Sequence, residues 1–322
     1  MEYARSRRPV EAGQTHNGLE GWPALRCIAV CLTTLFLWPQ TLPAQESPEE
    51  FDAPAVALLQ KGENRSELPV AATVLSFPRP HQPGFVAVLG SIDKAKLTYG
   101  QEGNGDEVSD FAFVTLFRNR QGEVIRKVSQ RYRLPKAAKP PRAGEELSFY
   151  AETSLDPGEY EAETAGFDAI TGRAGTVRAG LTVLAEKQDL PGLSSLVLIR
   201  RMEVLPSDDQ SAGSPLRYGR LLLHPWLGGE LHRSEVKTLN FFLTIYPRGS
   251  HVPEQALAEL LRINEPVGRL PLALPKPDLE GKIQVSGTLP LDEATPGMYT
   301  LRVVMAISDR LIARSRTFLL VP

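Results

Sequence analysis

From Val70 onward the chain alternates β-branched and aromatic positions with polar ones, in short runs bounded by Gly, Pro, Asn and Asp. A period of two puts alternate side chains on opposite faces of a strand. The pattern therefore predicts strands at 70–77, 85–93, 111–118, 123–134, 146–153, 160–167 and 176–184. A second series follows at 195–202, 220–224, 236–246, 256–263, 269–274, 282–289, 299–307 and 313–321. Asn104-Gly105 and Gln121-Gly122 are turn signals between strands of the first series. Segment 256–263 is ambiguous, because Leu257, Leu260 and Leu261 also fit a helical stripe. It is read as a strand from its place in an internal repeat, which corresponds to 123–134. One short helical turn is expected at 55–60.

The repeat centres on two Pro-Gly pairs. The first copy runs Leu155-Asp156-Pro157-Gly158-Glu159-Tyr160, then a strand, Asp168, Arg173 and a closing strand. The second runs Leu291-Asp292, an insertion, Pro296-Gly297-Met298-Tyr299, a strand, Asp309, Arg314 and a closing strand. Upstream, the apolar stretches FAFVTLF at 111 and NFFLTIY at 240 take matching positions. Pro fixes φ and Gly tolerates positive φ, so the pair makes a tight turn into a strand. Tyr160 and Tyr299 follow two residues after the Gly, where a tyrosine corner returns its hydroxyl to upstream backbone. Pro157, Gly158, Tyr160, Pro296, Gly297 and Tyr299 are therefore assigned a structural role. The expected fold is all-β: two tandem immunoglobulin/fibronectin-III-like antiparallel β-sandwich domains.

The amino-terminal region has a different texture. Residues 27–38 (CIAVCLTTLFLW) are uncharged and apolar, follow Arg5, Arg7, Arg8 and Arg26, and precede Leu42-Pro43-Ala44. The run falls short of the roughly 20 residues of a membrane span and reads as a signal peptide. The expected organisation is a signal peptide at 1–44, a mobile acidic segment with a short helix at 45–66, sandwich domain 1 at 67–187, a linker at 188–194 and sandwich domain 2 at 195–322. Membrane attachment follows only if the signal segment stays uncleaved. Both cysteines, Cys27 and Cys31, lie inside the apolar run. A cleaved chain then has no thiol for a disulfide framework. That cysteine usage points to a bacterial, extracytoplasmic protein: periplasmic, outer-surface or secreted.

Composition narrows the function classes. The 322 residues are 42% hydrophobic and 23% charged with formal net charge −2, which suits globular domains and provides no global field toward nucleic acid. No His pair has zinc spacing, no Gly-x-Ser-x-Gly elbow occurs, and no glycine loop suited to phosphate appears. No catalytic residue, metal ligand or cofactor is therefore assigned. Asn104, Asp106, Glu107 and Asp110 form an acidic loop, read as a solvated turn in preference to a calcium loop. Two features remain as surface-binding candidates. Trp226, between His224 and His232, is either a sandwich plug or a platform for a sugar. Basic residues crowd 118–142, among them Arg126, Lys127, Arg131 and Arg133, and suit an anionic envelope component unless acids on neighbouring strands pair with them.

The stretch from Leu58 through Leu68-Pro69-Val70 to the two Pro-Gly-x-Tyr strands resembles the carboxy-terminal β-sandwich region of bacterial von Willebrand factor A-related proteins, over residues 54–322. In that family an A domain precedes this region and carries a divalent metal on an Asp-x-Ser-x-Ser loop. No counterpart lies between the apolar run and the matching region, and Asp209-Gln210-Ser211-Ala212-Gly213 lacks the final Ser. The metal site is not carried over. The resemblance implies an extracytoplasmic accessory or interaction protein. Together these readings give a non-enzymatic exported protein whose partner is a protein or an envelope component, with no nucleic acid; the alternative is a carbohydrate-binding module or an accessory domain of a secreted hydrolase.

Overall fold

The computed structural model describes residues 51–322 other than 80–81, 104, 138, 140, 142–144, 186, 188, 206–214 and 250. The signal-peptide reading over 1–44, the acidic residues 45–50, Asn104 and the 209–213 loop lie outside the described residues.

Four sheets carry the fold. β1 (Val70–Arg79), β2 (Gln82–Asp93) and β6 (Glu146–Leu155) form the first, in that order. The second contains β4 (Glu107–Arg118), β5 (Val124–Pro135), β7 (Gly158–Asp168) and β8 (Ala174–Val183), with β4 between β5 and β7 and a short β3 (Gly100–Gln101) also on β4. The third is built on β10 (Val197–Val204), β14 (Thr238–Tyr246) and β17 (Ile283–Pro290). It is extended by β12 (Leu221–Pro225) and β11 (Arg217–Tyr218), and β9 (Gly192–Leu193) also pairs with β14. The fourth runs β13-β19-β18-β15-β16, with β13 (Glu230–His232), β15 (Gln255–Arg262), β16 (Glu265–Leu272), β18 (Gly297–Ile307) and β19 (Arg310–Val321). Each half thus places three strands over four: β1-β2-β6 on β5-β4-β7-β8, and β10-β14-β17 on β16-β15-β18-β19. Only β13 with β19 is parallel among the described pairs. The fold is all-β, as the alternation predicts, and each half is an antiparallel sandwich.

The sheets are stacked, and this explains the long apolar runs. On β1 and β2, Val74, Val86 and Val88 point to the second sheet and pack with Phe117, Leu181 and Val183. Their neighbours Leu75, Phe77, Phe85, Ala87 and Leu89 point the other way and join Val197, Ile199, Leu223 and Phe242 of the third sheet. On β14, Leu239, Phe241, Leu243 and Ile245 fill the core shared with the fourth sheet. The outer face of the second sheet is covered as well: α1 (Ala53–Gln60) lays Ala55 and Leu59 on Ala112, Val114 and Leu116. Strands buried on both faces read as continuous apolar runs, and FAFVTLF and NFFLTIY are two such strands.

The structure corrects three expectations. Residues 192–194 of the expected linker belong to the fold: Gly192–Leu193 pairs with Tyr246 and Ile245, and Ser194 is fully buried with Oγ accepting from Thr244 N at 2.9 Å. Ser195 adds reciprocal bonds to β1, its N donating to Ser76 O at 2.8 Å and its Oγ accepting from Ser76 N at 2.9 Å. The described part of the acidic segment is likewise docked, through α1 and a Ser66–Gly175 bridge. The two apolar stretches of the repeat are not counterparts. FAFVTLF lies on β4, between β5 and β7, whereas NFFLTIY lies on β14, between β10 and β17, and is the counterpart of β2. Segment 256–263 is a strand, β15, but its place is that of β4 rather than 123–134. Similar apolar texture reports burial on two faces and says little about which central strand bears it.

The Pro-Gly corners have the expected geometry. Tyr160 Oη donates to Asp156 O at 2.7 Å, and Tyr299 Oη donates to Thr295 O at 2.8 Å. The tyrosines are not equally enclosed, since Tyr299 is buried against Phe318 and Tyr160 is half-buried. Nor do the glycines serve alike. Gly297 has φ +151°, whereas Gly158 lacks a positive φ and gives space, its built Cβ meeting Tyr160 Oη at 3.0 Å. Tyr299→Phe removes one buried hydrogen bond and keeps the ring. It should cost about 1 kcal/mol, read as a lower urea midpoint at unchanged slope.

Candidate functional site

The basic run lies mostly on β5, an edge strand that among the described residues pairs with β4 alone. Register sets Arg131 opposite Ala112, Arg133 opposite Asp110 and Lys127 opposite Leu116. Most of the charge is matched. Arg131 reaches Asp110 at 2.6 Å, Lys127 reaches the buried carboxylate of Asp52 at 2.9 Å, and Arg133 pairs with Glu102. Arg118 bonds Glu163 at 2.7 Å and Arg120 bonds Glu159 at 2.6 Å. Lys136 reaches Glu107 at 2.8 Å. Glu159 and Glu163 follow the run in sequence, whereas Asp52, Glu102, Glu107 and Asp110 come from before it, because β4 and α1 are the elements beside β5. Arg126 is exposed and makes no ion pair with a described residue. Val124 and Ile125, 42% and 41% exposed, precede it.

Trp226 follows β12 and is half-buried against the core of the second half. The guanidinium of Arg200 lies 5.6 Å from its ring centroid, within cation–π range, and is held there by two 2.7 Å bonds to Glu146. Trp226 Nε1 is enclosed without a described acceptor. This is the geometry of a plug tied to the neighbouring sandwich, with one ring face already covered. His224 bonds Glu203 at 2.9 Å, and His232 lies exposed on β13, so the two histidines do not converge on Trp226. Among the described residues no group of three His, Cys, Asp or Glu is placed to hold a metal.

A second cluster was not legible as a site in the sequence. β19 turns Ile312, Arg314, Arg316, Phe318 and Leu320 toward the interior, with exposed residues between them along 311–317. In the first half the same register positions are Val177 and Ala179: counting from the Pro-Gly corners, Arg314 opposite Val303 matches Val177 opposite Thr164. Two guanidinium groups thus occupy an apolar row. Arg314 Nε donates to Ser194 O at 3.1 Å and NH2 donates to Leu193 O at 3.0 Å, while Arg316 NH2 donates to Thr73 Oγ1 at 2.9 Å. Burial lowers both side chains, Arg314 to about 10. Neither makes an ion pair with a described residue. They line a cleft of about 300 Å3 with Val74, Thr182 and Ser195. The available signal was Arg at alternate positions where period two calls for apolar residues, but it depends on the β18–β19 register.

No protein-family model matches this chain, and no curated protein matches it significantly. The described residues present two distinct surfaces, the edge of β5 and the arginine cleft between the halves.

Proposed function

We propose that this chain is a non-enzymatic interaction protein that works outside the cytoplasm and docks a protein or envelope partner along the edge of β5. The observation that carries this reading is the contrast between two edge strands. β5 offers Val124 and Ile125 to solvent beside Arg126, and an exposed edge with unpaired N–H and C=O groups is a template for an added strand. β16, one edge of the fourth sheet, carries Pro266 and Pro271, which remove N–H donors. A partner segment that is extended, apolar on one face and acidic near Arg126 fits β5 best. The apolar run at 27–38 behind four arginines supports export, and the resemblance to von Willebrand factor A-related proteins points the same way.

The test is residue-specific. A photo-crosslinking amino acid placed at Ile125 in the native envelope should trap a discrete partner; the same group at Val267 on β16 should not. Arg126→Glu should weaken the trapped product several-fold. Equal labelling at both positions, or labelling indifferent to Arg126→Glu, would remove β5 as the docking edge. Turnover of any substrate abolished by a single point substitution would overturn the non-enzymatic part.

A further inference from the structure

We propose that the cleft between β1, β8 and β19 binds a small apolar acid, its oxyanion head on Arg314 and Arg316 and its tail against Pro78, Leu184, Pro191 and Ile312. This site is separate from the β5 edge and does not depend on it.

Charge is the first ground. Two half-buried guanidinium groups share one cleft, and no acidic residue is among its described lining residues. An unpaired charge removed from water is costly unless a counter-ion or enough hydrogen bonds compensate. The bonds present are few: Arg314 uses two donors and Arg316 one, against five N–H groups on each guanidinium. Uncharged side chains could clip the two halves together equally well. A forked donor facing an oxyanion, by contrast, is the arrangement for which arginine is suited.

The second ground is the neighbouring cavity. A cleft of about 410 Å3 adjoins the first and shares Ala313 and Arg314 with it. Its described lining is largely apolar, with Pro78, Leu184, Leu190, Pro191 and Ile312, and Lys187 and Arg248 are its other charged members. Leu184 is 45% exposed there. The inward row of β19 therefore passes from apolar at Ile312 to cationic at Arg314 and Arg316. A ligand with a carboxylate or phosphate head and a short hydrocarbon tail matches that order, whereas an inorganic anion uses only one end.

The full chain should be titrated with octanoate, acetate and inorganic phosphate, following heat release and the Nε–Hε resonances of Arg314 and Arg316. Octanoate should bind roughly tenfold or more tightly than acetate or phosphate and shift both arginine resonances. Arg316→Gln should weaken octanoate by about tenfold, Arg316→Lys by less, and Arg310→Gln, at a surface pair with Asp189, should have no effect. The resonances of the unaltered chain decide the matter if Arg316→Gln misfolds, and they separate this cleft from uptake by the apolar amino-terminal run. Equal affinity for octanoate and acetate, phosphate binding as tight as octanoate, unmoved arginine resonances, or undiminished binding by a folded Arg316→Gln would each overturn the proposal.

Discussion

Phe242→Ala is expected to destabilise the stacked body by about 3–5 kcal/mol and to split a single thermal transition into two. Phe242 is fully buried, yet it does not belong to the core of its own sandwich. Its ring stands in the layer between the first and third sheets, with Leu75, Phe77, Phe85, Val197 and Leu223, and lies 5.9 Å from the ring of Tyr218. That layer is buried like the cores on either side, so unfolding one half would expose a core-like face of the other. The unaltered chain should therefore melt as one unit in calorimetry. Phe241→Ala, one residue away on the opposite face of β14, is the comparison. It should weaken the second half without uncoupling the two. Two separate transitions in the unaltered chain would sink this account, because they would mean that the halves fold independently.

Gly90→Val should cost about 3 kcal/mol, and Phe149→Ala in the same chain should restore part of the loss. Gly90 on β2 is the direct cross-strand partner of Phe149 on β6, whose ring lies across the glycine. A Cβ built there would fall 1.5 Å from Phe149 Cζ, so the ring must leave its place beside Ala72 and Phe113. The second half uses the device with the strands exchanged. Phe241 on β14 lies over Gly287 on β17, where a built Cβ would meet Cζ at 2.3 Å. Aromatic cover of a strand glycine thus braces a central strand pair in both the first and the third sheet. The check is urea denaturation of both single variants and the pair. Additive losses in the pair would show that the clash is not what destabilises Gly90→Val.

Local chemistry made much of this fold readable. Every strand expected from alternation is present, and the helix expected at 55–60 runs Ala53–Gln60. The unforeseen strands are Gly100–Gln101, Gly192–Leu193, Arg217–Tyr218 and Glu230–His232, all too short to display a period. Gly192–Leu193 looked like linker because Pro191-Gly192 is turn chemistry; its pairing with β14 exists only once the chain has returned. The basic residues of β5 were visible as a cluster, but their acids could not be assigned, because partners depend on which strands become neighbours. Trp226 was legible as a plug or a platform, and the tertiary structure brings Arg200, arriving from β10, over its ring.

The sequence by itself determined that this is a β protein, where its longer strands lie, and that Pro157-Gly158 and Pro296-Gly297 open strands braced by Tyr160 and Tyr299. Those features depend on residues within a few positions of one another. Tertiary structure alone decided that the second apolar faces of β1, β2, β10 and β14 close on each other, and that Arg314 and Arg316 turn inward to a cleft between the halves. Both outcomes depend on register and stacking between strands far apart in the chain, which period and composition do not encode.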